Sequence, residues 1–89
     1  MPERIVRIVN KAGLHARPAA EIVKLANRYK ATEITVVRDD LEVNGKSIMG
    51  VMMLAAEYGS TLHLHANGPD ADAALHALAA LISNKFGES

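Results

Sequence analysis

The chain has no cysteine, no tryptophan and only three aromatic residues, Tyr29, Tyr58 and Phe86, among 89 positions. The absence of cysteine excludes disulfides, a thiol nucleophile and any Cys-based zinc site, and it fits a reducing compartment. The scarcity of aromatics leaves little to stack on nucleic-acid bases. The longest apolar run, residues 48–56, falls far short of the ~20 residues that a membrane-spanning helix needs. The first ten residues carry Glu3, Arg4 and Arg7 and lack the apolar centre of a signal peptide. Net charge is zero, so no strongly basic or acidic balance selects a partner. The expectation is one soluble, cytoplasmic domain over residues 1–89, without membrane insertion and with a modest core that needs no covalent staples.

Zero net charge hides an asymmetry. Residues 1–30 hold seven Lys/Arg against two Asp/Glu, and residues 31–89 hold three against eight, so +5 faces −5. A first third gathered on one surface would steer an acidic or phosphorylated partner, whereas an unevenly charged solvated surface explains the same counts.

The most informative stretch is Gly13-Leu14-His15-Ala16-Arg17-Pro18-Ala19-Ala20. Proline is tolerated in the first turn of a helix, where its missing N–H would have had no partner. Ala19, Ile22, Val23 and Ala26 then recur at i, i+3, i+4 and i+7, the period of an amphipathic helix. His15 therefore falls at the positive end of a helix dipole, beside free backbone N–H groups and Arg17. Such a corner favours phosphate and pairs it with a nucleophile that works near neutral pH.

The remaining pattern predicts strands over 4–9, with Val6 and Ile8 inward, and over 33–38, 41–44 and 60–66. Helices are predicted over 16–29, from a Ser47 N-cap to a closing Gly59, and over 70–85. Asp39-Asp40 turns one strand into the next without the glycine that such hairpins favour. Leu62, Leu64 and Ala66 face one way, and Thr61, His63 and His65 the other. The order β-α-β-β-α-β-α makes an α+β two-layer sandwich with its helices on one face of the sheet.

With Val43-Asn44-Gly45-Lys46-Ser47-Ile48-Met49-Gly50-Val51-Met52 added to the first motif, the chain resembles the HPr family along its whole length. These are the small phosphocarriers of the bacterial phosphoenolpyruvate:phosphotransferase system. The resemblance implies an open-faced sandwich with a four-stranded antiparallel sheet in the order 1-4-2-3, covered by three helices. It implies that His15 accepts a phosphoryl group on Nδ1 from phosphorylated Enzyme I and passes it to enzyme IIA proteins, with Arg17 contacting that group. It also matches Ser47 to a serine that an HPr kinase/phosphorylase modifies in some lineages, although a serine N-cap explains Ser47 without any kinase. A monomeric carrier with no enzymatic activity and no metal or cofactor is expected.

The run from Ile48 to Leu54 holds more apolar side chains than one face of a short helix can bury. Ile48 or Met52 turned inward would be core. Ile48, Met49 and Met52 left exposed near His15 would form a methionine-rich docking surface, and the resemblance implies such a surface for Enzyme I and enzyme IIA. His63 and His65 lie two apart on one strand face with no third ligand at suitable spacing, so they read as solvent-facing, as does His76. Two other functions fit the pattern less well or equally. A ferredoxin-like RNA-binding module shares the element order but needs strand aromatics. A nitrogen-related or purely regulatory phosphorelay carrier of the same family would keep the same His15 motif.

Overall fold

Alternation along the four β segments separates an apolar row from a polar one, and the computed structural model, which describes residues 2–88, buries the apolar row. Strand β1 (Glu3–Arg7) leads to helix α1 (Ala16–Ala26), and β2 (Glu33–Arg38) with β3 (Leu41–Asn44) forms a hairpin. Helix α2 (Ile48–Met53), strand β4 (Thr61–Asn67) and helix α3 (Ala71–Ser83) follow, and a 3-10 turn at Lys85–Gly87 ends the order. The sheet runs β1-β4-β2-β3, and each neighbouring pair is antiparallel. This is the expected open-faced sandwich.

Val6, Ile34, Val36, Val43, Leu62, Leu64 and Ala66 point from the sheet into the core. They meet Ala19, Ile22 and Ala26 of α1, Val51 of α2, and Ala74, Leu75, Leu78 and Ile82 of α3. The many alanines on the buried faces of α1 and α3 let these helices pack on each other and let α3 lie on β1 and β4. The hairpin turns through Asp39-Asp40, where Asp39 adopts the left-handed conformation (φ +54°) usually left to glycine.

Both strands of the hairpin match their predicted bounds; other element ends differ, each for a local reason. The first strand leaves the ladder at Arg7, but Ile8 continues pairing outside it. Its N–H donates to the Ser60 carbonyl at 2.9 Å, and its own carbonyl accepts the Gly59 N–H at 2.8 Å. Helix α1 stops at Ala26 instead of residue 29. The Asn27 side-chain amide donates to the Val23 carbonyl at 2.8 Å, and the next turn tightens to i→i+3 bonds from Arg28 and Tyr29. Lys46 Nζ then donates to the Tyr29 carbonyl at 2.7 Å. Strand β4 begins and ends one residue later than expected, and α3 ends at Ser83, before Lys85.

The largest difference is in α2. Gly59 does not close this helix: it ends at Met53, Leu54 is its C-cap, and Ala55 reverses the chain at φ +47°. Burial of Leu54 against the core draws the chain away from the helical path before Gly59 is reached. Gly59 instead sits in a turn where the Ser60 N–H donates to the Glu57 carbonyl at 2.9 Å.

Candidate functional site

The site begins with a loop held down at both ends. The buried Asn10 carbonyl accepts the Gly13 N–H at 3.1 Å, and its side-chain amide donates to the Gly13 carbonyl at 2.8 Å. Gly13 takes φ +71°, and a Cβ there would stand 2.9 Å from the Ala56 carbonyl oxygen, so this close approach requires glycine. Leu14 buries its side chain and donates its N–H to the same carbonyl at 2.8 Å. His15 follows in an extended conformation (φ −93°, ψ −172°) as the N-cap of α1.

The His15 side chain makes no cap bond and is 45% exposed. Its carbonyl accepts the Ala19 N–H at 3.0 Å, which leaves the N–H groups of Ala16 and Arg17 without intrahelical acceptors. Pro18 has no N–H to add and is buried, which anchors the first turn. Arg17 is exposed, and its guanidinium makes no hydrogen bond or ion pair among the described residues. The helix end, the two N–H groups and this cation form an anion-attracting corner around His15.

One contact has no precursor in the sequence pattern. The tail folds back so that Glu88 Oε1 lies 3.1 Å from His15 Nε2 and 2.8 Å from Asn10 Nδ2. The Asn10 hydrogen bond first, and the His15 ring second, hold the Glu88 carboxyl below its ordinary range. Asn10 and Glu88 are the residues sequence reasoning missed. Asn10 reads as an ordinary loop residue, and no local signal tells that a tail 73 residues from His15 returns to it. A shallow cavity of about 470 Å³ opens beside the imidazole, lined by Lys11, Ala12, Leu14, Ala55, Glu57 and Tyr58 among others.

Ser47 is the N-cap of α2, as expected, and its Oγ accepts the Gly50 N–H at 3.1 Å. Neither Ile48 nor Met52 turns inward: Val51 and Leu54 fill the core, and Ile48, Met49, Met52 and Met53 are exposed. Helix α2 packs on α1, and the Leu14 N–H bond to the Ala56 carbonyl ties the loop carrying His15 to the segment that follows α2.

On the opposite, open face of the sheet, Glu3 Oε2 stands 3.2 Å from His63 Nδ1 and 3.3 Å from His65 Nε2. No group of three or more His, Asp or Glu among the described residues is placed to hold a metal ion. His76 is exposed on α3. All three aromatics lie off the strands, so the sheet carries no stacking platform. No helix among the described residues is long and apolar enough to cross a membrane.

An exposed histidine at a helix N-terminus of an open-faced sandwich, with exposed apolar side chains on the helix packed against it, defines a small α+β domain built around a solvent-facing histidine. The family described as "PTS HPr component phosphorylation site" matches residues 2–84. A phosphocarrier protein HPr from Treponema pallidum is 53% identical over 88 residues, covering 99% of each chain. A phosphocarrier protein NPr from Shewanella violacea is 45% identical over 87 residues, covering 98% of this chain and 94% of that one.

Among solved structures, HPr-C-His from Thermoanaerobacter tengcongensis superposes with a TM-score of 0.94 at 46% identity, covering 100% of this chain and 99% of that one. An HPr dimer from the same organism gives 0.78 at 46% identity, covering 99% and 100%. The chain belongs to the HPr family of the phosphotransferase system, and it is a phosphocarrier and not a catalyst.

Proposed function

We propose that His15 takes a phosphoryl group on Nδ1 from phosphorylated Enzyme I and hands it to enzyme IIA proteins of the phosphoenolpyruvate-dependent sugar phosphotransferase system. One observation carries this reading: the exposed His15 imidazole, at the N-terminus of α1, has Nε2 engaged by Glu88 and Nδ1 without a partner among the described residues. In the transfer the Nδ1 lone pair forms the N–P bond while the donor's N–P bond breaks, and that electron pair returns to the donor's ring nitrogen. The onward step reverses this on the acceptor's histidine. Imidazole is both a competent nucleophile and a ready leaving group near neutral pH, which suits a carrier.

Phosphoryl transfer needs chiefly positioning and stabilisation of spread negative charge. The N–H groups of Ala16 and Arg17 supply fixed dipoles, and the Arg17 guanidinium supplies a planar fork for the phosphoryl oxygens. Ile48, Met49 and Met52 form the apolar docking surface for both Enzyme I and enzyme IIA, which the polarisable methionines suit. Ser47 is a second phosphorylation site, used by an HPr kinase/phosphorylase where one is present. Its phosphate would sit at the start of α2 and place charge beside that surface. The carrier works as a cytoplasmic monomer and needs no cofactor.

The test is mass spectrometry after incubation with Enzyme I, magnesium and phosphoenolpyruvate, with His15→Ala alongside. A single acid-labile phosphoryl group, absent from the variant, is expected. An unmodified chain beside an active Enzyme I would reduce His15 to a structural cap. The 45% identity to an NPr supports a second reading, a nitrogen-related or regulatory relay through the same His15. Transfer to an enzyme IIA of the nitrogen branch in preference to a sugar-specific one would select it.

A further inference from the structure

We propose that Glu88 is a positioning residue for phosphoryl transfer: seated by Asn10, its carboxylate holds the His15 imidazole as the Nε2–H tautomer and presents the Nδ1 lone pair outward. The inference rests on the carrier reading of His15 and extends it to a residue outside both sequence motifs.

The hydrogen-bond inventory of the site leaves one arrangement. An ionised carboxylate can only accept, so the ring nitrogen 3.1 Å from Glu88 Oε1 must be the one bearing hydrogen. In a neutral imidazole that leaves Nδ1 with its lone pair free, the state a nucleophile needs. The same Oε1 accepts from Asn10 Nδ2 at 2.8 Å, and the second hydrogen of that amide goes to the Gly13 carbonyl at 2.8 Å. Turning the amide over would set its oxygen against two acceptors, so its orientation is determined. Asn10 is fully buried, and its Oδ1 has no partner among the described residues. Its amide ties the His15 loop and the tail to one side chain.

The backbone of the tail supports the same conclusion. Lys85, Phe86 and Gly87 all have positive φ (+58°, +56° and +77°), and two of them are not glycine. Left-handed non-glycine residues are strained, and they persist only where surrounding contacts hold them. Phe86 packs on the core, the Gly87 N–H donates to the Asn84 carbonyl at 3.1 Å, and the Glu88 N–H donates to the Lys85 carbonyl at 2.8 Å. This reversal delivers Glu88 to the histidine.

One contact serves both directions of the relay. During acceptance Nε2 keeps its hydrogen while Nδ1 bonds to phosphorus. During donation the N–P bond breaks, its electron pair returns to Nδ1, and the ring again becomes the tautomer that Glu88 accepts from. The carboxylate also repels an approaching phosphate, so the net effect must be read from rates.

The experiment compares wild type, Glu88→Ala and Glu88→Gln. All three should be folded at the assay temperature, with Glu88→Ala melting slightly lower because the Asn10 hydrogen bond to Glu88 is lost. Nitrogen-15 NMR of the imidazole at pH 8.5 should show Nε2–H as the dominant form in wild type and a larger share of Nδ1–H in Glu88→Ala. Phosphoryl acceptance from phosphorylated Enzyme I should fall about ten- to a hundredfold in kcat for Glu88→Ala, the scale of a mispositioned reacting group. KM for the carrier should stay within about twofold, because docking is elsewhere. Glu88→Gln, whose amide oxygen still accepts, should restore most of the rate. Identical ring nitrogen signals in wild type and Glu88→Ala would overturn the proposal whether or not His15 is phosphorylated. An unchanged or faster rate in Glu88→Ala would overturn it too, the faster rate by making the carboxylate a barrier. Failure of wild type to accept phosphate would instead overturn the carrier reading, with the NMR arm still judging the geometry.

Discussion

Leu14 donates its backbone N–H to the Ala56 carbonyl at 2.8 Å, which fastens the chain entering α1 to the chain leaving α2. The histidine that follows Leu14 and the exposed side chains that precede Ala56 are therefore positioned by one backbone bond.

Gly13→Ala tests that junction. Its methyl would meet the Ala56 carbonyl oxygen at 2.9 Å and the Glu57 Cα at 3.1 Å, in a backbone conformation alanine disfavours. Neither neighbour is the end of a flexible side chain. A loss of about 2 kcal/mol is expected, from left-handed strain plus displacement of the loop. Thermal unfolding should register it as a fall of about 8–16 °C in Tm. An unchanged Tm would show that the loop adjusts freely.

Ser47 separates two roles by two substitutions. Ser47→Ala removes the acceptor for the Gly50 N–H and should cost about 1 kcal/mol in urea unfolding. Ser47→Asp restores an acceptor and should recover most of that stability. It should nevertheless weaken Enzyme I binding, measurable by calorimetry, because a charge now borders the apolar patch. Equal binding by wild type and Ser47→Asp would move the docking surface away from α2.

Within α2 the division between core and interface gives a paired expectation. Val51 is fully buried, so Val51→Ala should cost about 2 kcal/mol in stability through lost contacts and a partial cavity. Met49 is 73% exposed, so Met49→Ala should leave stability within about 0.5 kcal/mol. Its effect should fall on the affinity for Enzyme I. A Met49→Ala protein with wild-type affinity in calorimetry would remove this residue from the interface.

Acid should release the tail. Hydrogen bonds from Asn10 and then His15 hold the folded-state value of Glu88 below its ordinary 4.5. A carboxyl depressed by folding contributes stability that is complete above the ordinary value and fades as pH falls through the lower folded one. The side-chain carboxyl carbon signal of Glu88 should therefore titrate with a midpoint below 4.5. A midpoint at or above 4.5 would mean that the carboxylate is not engaged.

The two-residue hairpin at Asp39-Asp40, the Ser47 cap and the start of α1 at Ala16 were all legible in the sequence, because each depends on neighbours a few residues away. Period-two alternation likewise assigned Leu62, Leu64 and Ala66 to the core and His63 and His65 to the open face. Helix ends were less legible. α1 stops where Asn27 bonds back to Val23, and α2 stops where burial of Leu54 outweighs the pull of a distant glycine. Propensity carries no record of either competition.

Element order, the inward faces and the histidine at the head of a helix are thus readable along the chain, since dihedral preference and hydrophobic period are local properties. The HPr resemblance added the strand order, which periodicity could not supply. Three-dimensional packing settles that Val51 and Leu54, and not Ile48 or Met52, fill the core. It alone brought Glu88 back to Asn10, 78 positions away, and to His15, 73 away. Such contacts form only after the sheet and helices have buried their apolar faces together. No short window of the chain encodes which distant groups that burial leaves side by side.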